Sequence, residues 1–250
     1  MQKTFDLAGS KIVVTGANGF LGQVICNTLR FEGAEVIGID ICEAKSVSTN
    51  TELYIIKKLD ITNKNHFADL KDFITSTYNE LVGGYIDGLI NNAAVSFKGN
   101  HISSEEFSKT MEVNIKGTYN CITQLSDIMS SYASVVNVSS VYGLISPDFR
   151  IYDGNEDLYN SSAYGASKAA IIQMTKYYAA QLAPIRVNAV SPGGIFQNHS
   201  RDFVEKYSKR VPLGRMADPE EIVNAIIFLL SPMSSYITGQ NLVVDGGLSI

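Results

Sequence analysis

The chain has 250 residues, 45% hydrophobic and 18% charged, with a net charge of −5. That apolar fraction excludes a disordered chain, and the acidic balance argues against nucleic-acid binding as the main role. No apolar run approaches the roughly 18–20 residues of a membrane span, and Met1 to Asp6 lacks the apolar stretch of an export signal, so a cytoplasmic location is expected. Cys26, Cys42 and Cys121 are widely spaced with no CxxC among them, so neither a disulfide framework nor a metal site is expected.

In chain order, Ile12–Val14 reads as a first strand, followed by a glycine turn and a helical pattern up to Gly33. Strands follow at Glu35–Asp40 and Tyr54–Lys57, then a helix near 63–80 and a strand at Ile86–Ile90. A helix from about Ser104 to Ser130 precedes a strand at Ser134–Val138. Helix 162–182, strand Ile185–Val190, helix 219–230 and strand Leu242–Val244 complete the series. Short buried strands alternating with helices predict one α/β domain over 1–250, a doubly wound parallel sheet of about seven strands. Ligands in such sheets bind beyond the carboxyl ends of the strands, where strand order reverses.

Thr15-Gly16-Ala17-Asn18-Gly19-Phe20-Leu21-Gly22 follows the first strand and opens a helix. Glycines there let backbone N–H groups approach a pyrophosphate at the positive end of the helix. A tight turn without ligand is the plainer reading, but the strand–turn–helix setting favours a nucleotide. Asp40 ends the second strand, where a carboxylate can accept hydrogen bonds from a ribose 2′-hydroxyl. With no base in the glycine turn, this predicts NAD(H) in preference to NADP(H). Asp60 and Ile61, after the third strand, either meet the adenine or cap the following helix; both readings stay open.

Asn91-Asn92-Ala93-Ala94, Val113-Asn114-Ile115-Lys116-Gly117, Asn137-Val138-Ser139-Ser140, Tyr164-Gly165-Ala166-Ser167-Lys168, Arg186-Val187-Asn188, Ser191-Pro192-Gly193-Gly194 and Thr238 to Gly247 follow one another in a set order. In this the chain resembles the compact short-chain dehydrogenase/reductases across nearly its whole length. The resemblance implies a single-domain Rossmann fold and hydride transfer between a nicotinamide and a secondary alcohol or ketone. Tyr164 would be the acid/base, Lys168 would lower its pKa and hold the nicotinamide ribose, Ser140 would bond the substrate oxygen, and Asn114 would hold a relay water. Asn92, Ala93, Pro192, Gly193 and Ile195 would border the cofactor. It also implies a homotetramer or homodimer built on helices 104–130 and 162–182, with Ile115, Tyr119, Ile122, Ile171, Tyr178 and Leu182 as apolar candidates.

Tyr54 and Lys58 form the same Tyr-x-x-x-Lys string, but on a strand that spacing stretches to about 13 Å. On a helix, Tyr164 and Lys168 share one face. A free phenol titrates near 10, and an ammonium about 4 Å away contributes about 4 kcal/mol, enough to lower that by some three units. The expectation is therefore a Tyr164 pKa below its ordinary value.

Two features depart from the compact pattern. Phe20 stands where those members usually have glycine, and the spacing Gly16, Gly19, Gly22 is that of the extended branch, which contains sugar-nucleotide epimerases and dehydratases. Ser140 and Tyr164 are 24 residues apart, leaving a polar insertion with Asp148, Arg150, Asp153, Glu156 and Asp157. Arg150 is a candidate for a substrate carboxylate or phosphate; a surface loop with Arg150 paired to a neighbouring Asp is the alternative. Phe196 to Arg215, with Arg201, Lys206, Lys209 and Arg210, would form a mobile basic lid, and Phe196 a substrate contact. A sugar-derived substrate and an acyl-carrier-protein ketone both fit. His66, His101 and His199 have no triad or metal spacing and read as surface or lid residues.

Overall fold

The computed structural model describes Phe5 and residues 7–43, 54–78, 86–99, 101–152 and 159–250. Seven strands, β1 (Lys11–Thr15), β2 (Glu35–Asp40), β3 (Tyr54–Lys58), β4 (Ile86–Asn91), β5 (Met129–Val138), β6 (Arg186–Pro192) and β7 (Asn241–Val244), pair in the order β3-β2-β1-β4-β5-β6-β7. Every pairing is parallel. The chain order reverses between β1 and β4, so a crevice opens at their carboxyl ends. The fold is Rossmann-like α/β.

Helices cover both faces: α1 (Phe20–Phe31), α2 (His66–Tyr78), α3 (Ser104–Met111), α4 (Thr118–Leu125), α5 (Ser162–Gln181), α6 (Arg201–Ser208) and α7 (Pro219–Leu230). Adjacent residues of β1 supply opposite cores. Val13 packs with Ile37, Phe67 and Ile122, whereas Val14 packs with Ile25, Ile90 and Ile226. A strand buried on both faces must be apolar throughout, which is why Ile12-Val13-Val14 shows no alternation. A third, smaller cluster joins Ile151, Tyr152 and Tyr159 of the insertion to Tyr207, Val211 and Met216.

One expectation needs correction. The helix expected over 104–130 is broken: α3 stops at Met111, a π-helical turn spans Glu112–Gly117, α4 ends at Leu125, and β5 already begins at Met129. The π turn places Asn114, whose amide is drawn to Val95 and Ser167, and such insertions mark tertiary demands that local propensity does not encode. The early start of β5 follows from pairing of Met129 with Ile86 and the bond from Ser130 Oγ to Asp87. The segment expected as a mobile lid contains α6, capped at Ser200 by the bond its hydroxyl accepts from Phe203 N–H.

Candidate active site

The glycine turn is built by close backbone approach. Gly16 has φ +67°, and its N–H donates to Ile39 O at 2.8 Å. A Cβ on Gly16 would lie 2.8 Å from Ala93 Cα, and one on Gly22 would lie 2.0 Å from the Gly16 carbonyl oxygen. Side chains are excluded there, so the turn folds onto the start of α1, whose N-cap, Gly19, offers no side-chain cap. Asn92 staples the turn, its Nδ2 donating to the carbonyls of Thr15 and Gly16 at 3.1 and 3.2 Å. Thr15 Oγ1 in return accepts the N–H groups of Asn92 and Ala93.

These residues open onto a cavity of about 530 Å³ lined by Gly16, Phe20, Asp40, Asp60, Asn92 and Val95, among others. Asn18, Gly19, Leu21, Ile61 and Ala93 also line it. Phe20, at the departure from the compact motif, is 40% exposed. Asp40 accepts one backbone N–H on each oxygen, from Asn18 at 2.9 Å and Cys42 at 3.0 Å. Burial would raise the pKa of Asp60, but bonds from the Thr62 N–H and hydroxyl outweigh it and hold the carboxyl below its ordinary value. Asp60 therefore both supports a turn and lines the cavity. A cradle that a Cβ would fill, an uncapped helix start and a carboxylate at the β2 end fit an adenine dinucleotide.

Beyond β5, Ser140 lies beside Tyr164, where its hydroxyl favours the phenolate. Ser140 Oγ also accepts the Tyr142 N–H at 3.2 Å. Lys168, one turn further along α5, places Nζ 5.6 Å from the centre of the Tyr164 ring and donates to Val138 O at 2.7 Å. Ser139 belongs to the support: its hydroxyl donates to Lys168 O at 2.8 Å. Gly143 lets this turn touch α5, since a Cβ there would lie 2.8 Å from the Lys168 carbonyl carbon. Beneath them a buried chain runs from Asn91 Nδ2 to Asn137 and from Asn137 Nδ2 to Thr175, linking β4, β5 and α5.

Burial pushes the Lys168 ammonium down to about 8. Burial also pushes the Tyr164 phenol up, opposed by the Ser140 hydroxyl. The expected lowering of Tyr164 is thus reversed here, because loss of water around the phenolate outweighs the help it receives.

Asn114 is 1% exposed, and its amide is fully engaged. It accepts Val95 N–H at 2.8 Å and donates to Val95 O at 3.0 Å and Ser167 Oγ at 2.9 Å. Ser167 Oγ in turn donates to Tyr164 O. The side chain is a bracket between the β4 loop and α5. Pro192 closes β6, Gly193 N–H donates to Val244 O, and Ile195 bridges to Ala217. Gly194 N–H donates to the Tyr207 hydroxyl, and a Cβ there would lie 2.6 Å from the Tyr207 ring.

The insertion differs from expectation. Arg150 is not brought to the site as a free cation: Nε and Nη2 both donate to Asp148 at 2.8 Å, and its side chain is 79% exposed. A local bidentate pair satisfies the guanidinium. Three of the four cations of the basic segment are likewise paired, Arg210 on Asp148, Lys206 on Asp202 and Lys209 on Glu205, while Arg201 is exposed. Asp153, Glu156 and Asp157 lie outside the described residues. Phe196 is 42% exposed, its ring 6.3 Å from that of His199. His66 accepts the Asp60 N–H, and His101 is exposed.

Sequence reasoning missed a group of phenols. Tyr142 and Tyr152 hydroxyls lie 2.9 Å apart, and Tyr142 interacts electrostatically with Tyr207 and Tyr164. Only the position of Tyr142, two residues after Ser140, offered a signal. Of the apolar interface candidates, Ile122, Ile171 and Tyr178 are buried, Ile122 and Tyr178 in the chain's own core, where Leu182 packs on it. Tyr119 and Tyr177 are 49% and 62% exposed beside Met111, Ile115 and Met174.

A family model described as enoyl-(acyl carrier protein) reductase matches residues 16–249. The 3-oxoacyl-[acyl-carrier-protein] reductase of Thermotoga maritima is 35% identical, over 98% of this chain and 99% of that protein. An NAD-dependent glycerol dehydrogenase of Listeria innocua is 33% identical, over 100% and 97%. Among solved structures, a short chain dehydrogenase from Leptospira borgpetersenii with bound NAD+ superposes with a TM-score of 0.87 at 33% identity, covering 97% of this chain and 94% of that one.

Proposed function

The chain belongs to the short-chain dehydrogenase/reductase family, and from that premise we propose that it interconverts a secondary alcohol and a ketone using a nicotinamide cofactor, NAD(H) in preference to NADP(H). The observation that carries this reading is the buried Lys168 ammonium, held on Val138 O, 5.6 Å from the centre of the Tyr164 ring with Ser140 beside the same phenol. The NAD-dependent Listeria relative and the NAD+ bound to the Leptospira protein support the cofactor.

The glycine turn and the uncapped start of α1 would hold the pyrophosphate, Asp40 the adenosine ribose and Asp60 the adenine end. Pro192, Gly193 and Ile195 would border the nicotinamide. When bound, that ring supplies or accepts the hydride. Ser140, whose oxygen already accepts the Tyr142 N–H, would donate a hydrogen bond to the substrate oxygen and keep its proton. Tyr164, whose phenol burial pushes up from its ordinary value, would donate a proton as that oxygen becomes an alkoxide and take it back in oxidation. Lys168 supports the phenolate while charged, and loses that charge as pH rises through about 8. Ser139 positions α5 against the end of β5, and Asn114 positions it against the β4 loop.

A hydroxylated, sugar-like or polyol substrate is the leading reading, supported by the Tyr142 phenol, which interacts with Tyr164 and bonds the Tyr152 hydroxyl. An acyl-carrier-protein ketone is the second, favoured by the matching family model and the Thermotoga relative. The apolar groove beside Tyr119 and Tyr177 supports a homo-oligomer, which light scattering tests. No helix among the described residues is long and apolar enough to cross a membrane; a cytoplasmic location belongs to the same reading. The deciding assay offers purified protein NAD+ with polyols and simple secondary alcohols, and NADH with a 3-oxoacyl thioester. Production or loss of NADH absorbance is expected; none with any substrate contradicts the reading.

A further inference from the structure

Asn18 ties together three segments at the ribose end of the cavity. Its backbone N–H donates to Asp40 Oδ2 at 2.9 Å, and its carbonyl accepts Gln23 Nε2 of α1 at 2.7 Å. Its side-chain Nδ2 crosses to the segment after β2, donating to Cys42 O at 3.1 Å and more weakly to Glu43 O at 3.4 Å. Cys42 N–H completes the loop by donating to Asp40 Oδ1 at 3.0 Å. The carboxylate plane of Asp40 is thus fixed by one N–H per oxygen, and each oxygen keeps a lone pair for a ribose hydroxyl.

The same clamp governs a cation. Lys58 is the register partner of Asp40 across β2 and β3, the place from which an ammonium would meet a 2′-phosphate. Its Nζ instead pairs with Glu43 Oε1 at 3.3 Å. Both side chains are largely exposed, and such a pair holds little by itself. It persists where the Glu43 backbone is held, and Asn18 holds it. Asp40 and Glu43 both line the cavity.

We propose that Asn18 is a positioning residue for cofactor choice: by clamping Cys42 and Glu43 it presents Asp40 to the ribose hydroxyls and keeps Glu43 on Lys58, which excludes a 2′-phosphate. The inference rests on the nicotinamide reading, and gives Asn18 a task other than touching the cofactor.

Calorimetric titration of NAD+ and NADP+ into the purified protein tests it without turnover. Wild type should prefer NAD+ by at least about tenfold. Asn18→Ala should narrow that ratio about tenfold, through weaker NAD+ binding with NADP+ binding unchanged or tighter. Asn18→Leu keeps the size and stays neutral but cannot donate to the two carbonyls, and should narrow the ratio equally. Should neither variant fold, Glu43→Gln frees Lys58 and should tighten NADP+ several-fold while leaving NAD+ unchanged. Equal weakening of both cofactors by Asn18→Ala, a wild-type ratio in Asn18→Leu, or no tightening in Glu43→Gln overturns the inference. Wild type binding both cofactors equally overturns it alone; wild type binding neither overturns the nicotinamide reading with it.

Discussion

The glycine turn and the insertion both lie at the carboxyl edge of one sheet, and different contacts hold them. At the turn, backbone meets backbone: Gly16 against Ala93, Gly22 against the Gly16 carbonyl, Asp40 on two N–H groups. In the insertion, side chains meet side chains: Tyr142 on Tyr152, Tyr152 against Phe203 with ring centres 5.5 Å apart, Arg210 on Asp148. A backbone cradle tolerates little change, because atoms cannot be removed from it without breaking the chain. A side-chain wall can be rebuilt residue by residue, and suits the part of an enzyme that distinguishes substrates. Between the two stands the Ser140–Tyr164–Lys168 group, the piece proposed to be common to both tasks.

The largest expected effect lies on that group. Lys168→Met should cut turnover at least about 100-fold. Yet it should leave the fold at least as stable at pH 7, because charging the buried amine opposes folding. With a folded pKa of about 8 against an ordinary 10.5, the unfolded chain binds the extra proton between those values, so stability rises with pH across that window and the penalty is complete below about 8. The penalty is about 3 kcal/mol, more than the roughly 1 kcal/mol of the bond to Val138 O. Thermal melts of both proteins at pH 7 and 10 check this; a lower Tm for the variant at pH 7 breaks the account of that site.

Gly22→Ala comes next and probes the cradle. Alanine gains about 1 kcal/mol of helix propensity, while a methyl 2.0 Å from a backbone carbonyl costs about 3 kcal/mol. A net fall of about 4–8 °C in Tm follows, with weaker NAD+ binding. An unchanged Tm would mean that the turn yields as readily as the insertion.

Acid should loosen the insertion first. Hydrogen bonds from Arg150, chiefly, hold the Asp148 carboxyl down at about 2 against an ordinary 3.8. Its pairing with Arg150 and Arg210 is therefore complete above about pH 4 and lost as pH falls through about 2. Hydrogen exchange over residues 148–152 should rise in that window before exchange in β1. The smallest effect belongs to Arg150→Ala, which should leave KM and cofactor affinity within about twofold, since the guanidinium serves Asp148. A tenfold rise in KM would restore Arg150 to the substrate.

Legibility in the sequence followed the same division. Gly16, Gly19 and Gly22 act through spacing along one turn, and Asp40 through its place at a strand end, so local reasoning reached them. Tyr164 and Lys168 were legible because four residues on a helix bring two side chains to one face. Arg150 was open because no local rule says which acid a guanidinium meets; Asp148, two residues away, wins through a loop that closes on itself. The π turn at Asn114 was invisible for a related reason, its cause being bonds to Val95 and Ser167, 19 and 53 residues distant. The phenols of Tyr142, Tyr152 and Tyr207 come from separate segments, and only folding brings them together.

The central claim is that Tyr164 moves the proton on a site that otherwise binds and folds without it. Tyr164→Phe removes one oxygen and leaves the ring beside Lys168. Turnover and NAD+ affinity measured on that variant test the claim most directly. The account predicts at least a 100-fold loss of kcat, on the order expected for removing a general acid or base, with NAD+ affinity and Tm unchanged. Turnover close to wild type would contradict it.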